Sequence, residues 1–101
     1  MIQVKVKGSI DSIQMTGHAN AGDYGNDLVC AGASSIIFGA MNAVDLLYPG
    51  SCQFEVGENK IRIQVLKNKD ALQQALQFLL IQLETMEESY PEHIKITRKE
   101  V

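Results

Sequence analysis

The sequence predicts an α+β domain with the element order ββαββαβ, a mostly antiparallel sheet packed with two helices. Three observations predict it. Apolar and polar residues alternate from Ile2 to Val6, as in a strand with one buried face. No charged residue occurs between Leu28 and Val44, a length that suits a helix buried against a core. Leu72, Ala75, Leu76, Leu79, Leu80, Leu83 and Met86 recur at helical spacing, with Gln and Glu on the opposite face.

The elements follow in order. Ile2, Val4 and Val6 mark the first strand. After a turn near Gly8 and Asp11, Ile13 and Met15 mark the second. Residues 17–26 read as a loop. A helix is expected from about Leu28 to Tyr48 with Asp27 as its N-cap. Pro49 and Gly50 end it, because proline cannot continue a helix and glycine favours the turn. Phe54 and Val56 mark one strand and Ile61, Ile63 and Val65 the next, joined by the short hairpin loop "GEN". Asp70 with Gln73 resembles a capping box at the start of the leucine-rich helix. Ile94 and Ile96 mark a final strand. The 101 residues fit one domain, residues 1–101, with no internal repeat, linker or low-complexity segment.

Composition narrows the function classes. A hydrophobic fraction of 46% argues for a folded domain and against disorder. The net charge is −3 and no basic cluster exceeds "RKE" near the end, so nucleic acid is not an expected partner. The uncharged stretch 28–44 contains Ser34, Ser35, Asn42 and several glycines and alanines, and falls short of a membrane span, so no membrane is expected. Two cysteines in a chain whose N-terminus reads as a strand fit a reducing, cytoplasmic setting. Cys and His lack the paired spacing of a metal site, and no cofactor is expected.

The segment "TGHANAGDYGNDLVCAGASS" (16–35) holds the candidate chemistry. If Asp27 caps the helix, Cys30 falls in its first turn, where free N–H groups and the helix dipole favour a thiolate. His18 could pair with that thiolate if the loop folds back. Gly17, Gly22 and Gly25 give the loop that freedom and leave N–H groups free to face a substrate carbonyl. Spacing alone leaves a second reading open, in which Cys30 is a small buried hydrophobe and His18 is solvated. Asp27 either caps the helix or also orients His18. Ser34, four residues after Cys30, shares its helix face and either bonds the thiol or permits close packing. Cys52, at a strand start, reads as structural. His93 reads as surface. A thiol redox role is disfavoured because no C-x-x-C occurs.

"GHA" at 17–19, "YGNDLVCAGASSIIFGAMNA" at 24–43 and "ETMEESYPEHIKI" at 84–96 together resemble the ribosomal-processing cysteine proteases, the Prp family. The resemblance extends over the whole chain. It implies a catalytic dyad of His18 and Cys30, with Asp27 and Ser34 as the motif's supporting residues and 18–26 as a flexible active-site loop. It also implies a substrate, the precursor of large-subunit ribosomal protein twenty-seven, whose N-terminal extension is removed after bulky aromatic residues. A homodimer is expected, since the small-residue run "AGASSIIFGAMNA" is more apolar than one subunit comfortably covers. The competing class is a non-enzymatic, ribosome-associated peptide-binding module.

Overall fold

A computed structural model describes residues 1–17 and 24–99, residues 24–27 by their backbone alone. The elements are β1 (Ile2–Lys7), β2 (Ser12–Thr16), α1 (Tyr24–Leu47), β3 (Cys52–Val56), β4 (Lys60–Val65), α2 (Asp70–Ser89) and β5 (Ile94–Lys99). The predicted order ββαββαβ is the one observed. The strands form one five-stranded sheet in the order β3-β4-β2-β1-β5. Three of its ladders are antiparallel and β1·β5 is parallel, so the sheet is mostly antiparallel, as expected.

Period-two alternation explains which face is covered. Ile2, Val4 and Val6 of β1, Ile13 and Met15 of β2, Ile61 and Ile63 of β4 and Ile94 of β5 are all buried on one side. Both helices lie on that side. α1 contributes Val29, Ala33, Ile37, Met41 and Val44, a stripe spaced by three and four residues. α2 contributes Leu72, Leu76, Leu79, Leu80 and Leu83. Each fully buried aliphatic side chain stabilises the fold by about 1.5–3 kcal/mol, so this single layer between helices and sheet holds the domain together. The segment Leu28–Leu47 is long and apolar enough to cross a membrane. In this fold its buried stripe packs on the sheet instead.

Two helix starts differ from expectation. α1 begins at Tyr24, four residues before Leu28, so Asp27 is its fourth residue and not its N-cap. Gly25 likewise lies in the first helical turn rather than in a loop. Gly, Asn and Asp have low helix propensity, which suggested a boundary there, but propensity is a weak bias. An aspartate in the first turn is favoured by the dipole in any case. At α2 the N-cap is Lys69, which makes no side-chain cap bond, so the capping box is not formed. Asp70 is the first helical residue. The Gln73 amide donates instead to the Ile10 carbonyl (3.1 Å) and to Asn68 Oδ1 (2.8 Å), tying the helix start to the β1–β2 turn.

The C-terminal edge strand is tied to α2 in two ways. The Ile96 N–H donates to the Glu87 carboxylate at 2.8 Å, which satisfies one edge N–H. Arg98 and Glu84 form an ion pair at 2.9 Å, both partly exposed.

Candidate active site

Cys30 stands on the α1 stripe next to the core stripe. Val29 is fully buried, while Cys30 is half-buried and packs its inner side against the core. Ser34 and Phe38 follow it at four-residue intervals and so line up along the helix. These three side chains form one wall of a groove of about 190 Å³. Ile2, Met15 and Gly17, where β1 and β2 pair, form its floor. The far wall is the β3–β4 hairpin from Val56 to Ile61. The ladder registers explain this meeting. Met15 pairs with Ile61, and Ile61 with Val56, so the hairpin turn overhangs the strand ends beneath α1.

Gly17 has a requirement beyond flexibility. Its φ is +97°, and a Cβ there would collide with the Met1 carbonyl oxygen. Only glycine allows β2 to end against the chain's first residues and still line the groove. Predicted site residues Gly17, Cys30 and Ser34 are therefore brought together. His18 and Gly22 lie outside the described residues, as does the side chain of Asp27. His18 directly follows Gly17, which the groove contains.

The helix start changes the electrostatic argument for Cys30. The thiol is on the seventh residue of α1, beyond the four N–H groups that a helix leaves unpaired. The expectation of Cys30 in the first turn is thus corrected. Cα–Cβ bonds tilt toward the N-terminus, so the side chain reaches back over the preceding turn, toward those free N–H groups. The dipole acts mainly within the first turn, so any strong stabilisation of a thiolate must come from a charged partner.

Both cysteines are free thiols. Cys52 differs in environment. Burial pushes its thiol above the usual range, and the Ser51 hydroxyl, 3.8 Å from Sγ, acts in the opposite direction. A thiol held protonated is a poor nucleophile, which fits the structural reading of Cys52.

Sequence reasoning missed the outer walls. Phe38 was accessible to it, at helical spacing from Cys30 and Ser34. Val56, Glu58 and Lys60 were not, because only the sheet order carries the hairpin to Cys30. Phe38 is 44% exposed and Val56 58% exposed, and both line the groove into which the thiol opens. An apolar groove beside a nucleophile is suited to hold an apolar side chain of a peptide while the thiol meets its carbonyl. An apolar cavity of about 150 Å³ accepts a benzene ring, so this groove has room for one aromatic side chain.

Comparison with known proteins bears on this geometry. The family model described as "Cysteine protease Prp" matches residues 1–95. The ribosomal processing cysteine protease Prp of Staphylococcus aureus is 37% identical over 101 residues, covering 97% of this chain and 95% of the relative. That of Bacillus subtilis is 34% identical over 108 residues, covering 96% of each. The crystal structure of the S. aureus protease in complex with a substrate peptide superposes with a TM-score of 0.90, at 34% identity, covering 98% of this chain and all of the other. The same protease with a covalently linked product peptide gives 0.88 at 35% identity, with the same coverage.

Proposed function

The chain belongs to the family of the cysteine protease Prp, and from that premise we propose that it removes the N-terminal extension from the precursor of large-subunit ribosomal protein twenty-seven, with Cys30 as nucleophile and His18 as its acid–base partner. As a member of a cysteine protease family the chain is an enzyme, which sets aside the purely peptide-binding alternative. The observation that carries the dyad reading is the half-buried free thiol of Cys30 in a groove whose floor ends at Gly17, the residue before His18.

The chemistry needs no cofactor. Cys30 Sγ, its proton passed to His18, attacks the scissile carbonyl and forms the C–S bond. The C–N bond then breaks, and His18 returns the proton to the leaving amine. Water, deprotonated by His18, attacks the thioester, and the released thiolate recovers the proton. Asp27, one helical turn before Cys30, supports His18, and the Ser34 hydroxyl supports the site from the Cys30 stripe. An aromatic residue before the cut fills the groove between Phe38 and Val56 and aligns the carbonyl with Sγ.

The reading extends to assembly and setting. A concave surface of about 480 Å³ lies between the helices, lined by Ser35, Ile36, Gly39, Ala43, Leu47 and Phe78 among others. Phe78 is 72% exposed and Leu47 is 67% exposed. A homodimer would cover this face, and the enzyme would meet its precursor substrate in the cytoplasm.

The test is incubation with the precursor, read by mass spectrometry. Release of an intact extension peptide by the wild type and not by Cys30→Ala supports the proposal. Cleavage at the same rate by both proteins would sink it.

A further inference from the structure

The sheet face turned away from the helices carries a charge pattern that the net charge hides. Alternation puts Lys5, Lys7, Lys60, Arg62, Lys95 and Lys99 on it. The registers place them in one field. Lys5 stands between Gln14 and Thr97, Lys7 between Ser12 and Lys99, and Arg62 opposite Gln14. Six of the chain's nine cations thus share this face, and among the described residues its outward strand positions carry one acid, Glu55 on the edge strand β3. These strand positions sum to +5, in a chain of net charge −3. This face holds a depression of about 730 Å³ lined by Lys5, Lys7, Arg62 and Lys99 among others.

Solvation alone accounts poorly for this arrangement. A solvated face ordinarily mixes signs. Lys7 directly faces Lys99, and like charges opposite each other on neighbouring strands destabilise a sheet. Protection of an exposed edge explains Lys95 and Lys99 on β5, but not Lys5, Lys7 or Arg62 on interior strands. Among the described residues none of the six cations forms an ion pair. Arg62 donates to Gln64 (2.7 Å) rather than to Glu55 across the ladder.

The composition of the face selects the occupant. No apolar side chain projects from the outward positions of these strands, whereas protein–protein interfaces have an apolar centre. Nucleic-acid interfaces are more polar and more positive. Among the described residues no aromatic side chain lies on this face, so bases have no stacking platform there and the contacts fall on the backbone. Gln14, Thr16 and Thr97 lie among the cations and can both donate to and accept from a ribose 2′-hydroxyl, which DNA lacks. We propose that the helix-free face of the sheet binds the phosphate backbone of double-stranded RNA. This runs against the expectation drawn from net charge, because an average over the surface does not register how the fold sorts its charges. It goes beyond the proteolytic reading and does not use Cys30; of the six cations only Lys60 also borders the groove, and the test leaves it in place.

The test is fluorescence anisotropy with a labelled RNA duplex of about 20 base pairs and arbitrary sequence, longer than the ~16 base pairs one compact domain spans. Contact with about four to six phosphates predicts a loss of roughly 10²- to 10³-fold in affinity between 50 and 200 mM salt. A variant with Lys5→Ser, Lys7→Ser, Arg62→Gln and Lys99→Ser should bind at least about tenfold more weakly with a shallower salt slope. It should melt no lower than the wild type and retain peptide cleavage. Cys30→Ala should bind RNA as the wild type does, so failure of the protease reading leaves this result intact. The proposal is overturned by absence of binding at 50 mM salt, by equal affinity of the folded quadruple variant, or by equal affinity for the matching DNA duplex. Displacement by polyglutamate at equal charge would also overturn it, pointing to an acidic protein.

Discussion

At the scale of single residues, two cysteines of one chain occupy different chemical environments. Cys52 is held protonated by burial, while Cys30 opens into a groove. At neutral pH iodoacetamide should therefore modify Cys30 faster than Cys52, with peptide mapping as the readout. Slower modification of Cys30 would contradict its role as nucleophile. Its reactivity should depend on His18, since the helix dipole is weak at the seventh residue. His18→Ala should lower turnover by about 10²- to 10⁴-fold and slow alkylation of Cys30. Gly17 sets a backbone constraint beside them. Gly17→Ala should cost about 1–3 kcal/mol in strain alone, with more from the clash with Met1, and should lower both melting temperature and activity. An unchanged melting temperature would show that β2 ends differently.

At the scale of elements, α1 uses two neighbouring stripes for two tasks. Val29, Ala33 and Ile37 anchor it on the sheet, and Cys30, Ser34 and Phe38 face the groove. Phe38→Ala should lower kcat/KM roughly 2- to 10-fold for a peptide with an aromatic residue before the cut, the worth of one aromatic contact. It should have little effect on a peptide with alanine there. Equal losses on both peptides would place the aromatic residue elsewhere. Leu76→Ala in α2, fully buried, should cost about 2–5 kcal/mol in chemical denaturation. The alignment of Ser34 with Cys30, the leucine stripe of α2 and the alternation of β1 were legible in the sequence, because helical spacing and strand alternation are local signals. The starts of the helices were less so. Asp27 and Asp70 carry capping chemistry in their side chains, yet α1 starts upstream at Tyr24 and Gln73 bonds the Ile10 carbonyl instead. The hairpin wall at Val56–Lys60 was illegible, since it depends on pairing between strands far apart in sequence.

At the scale of the whole molecule, three surfaces divide the chain: the groove at Cys30, the concave apolar surface between the helices and the cationic face of the sheet. The apolar surface makes a direct prediction about assembly. A Cβ at Gly39 would meet nothing within 4 Å, so Gly39→Arg should leave the subunit folded while blocking a homodimer across that face. Sedimentation should report a dimer for the wild type and a monomer for the variant, and a wild-type monomer at micromolar concentration would contradict it. The central claim is that the thiol of Cys30 carries out peptide hydrolysis. Rapid acid quench of the enzyme with precursor, followed by intact-mass and peptide-mapping analysis, tests it most directly. A thioester-linked peptide is expected on the fragment containing Cys30, lost in Cys30→Ala together with cleavage. An adduct on Cys52, or cleavage that persists in Cys30→Ala, would contradict it.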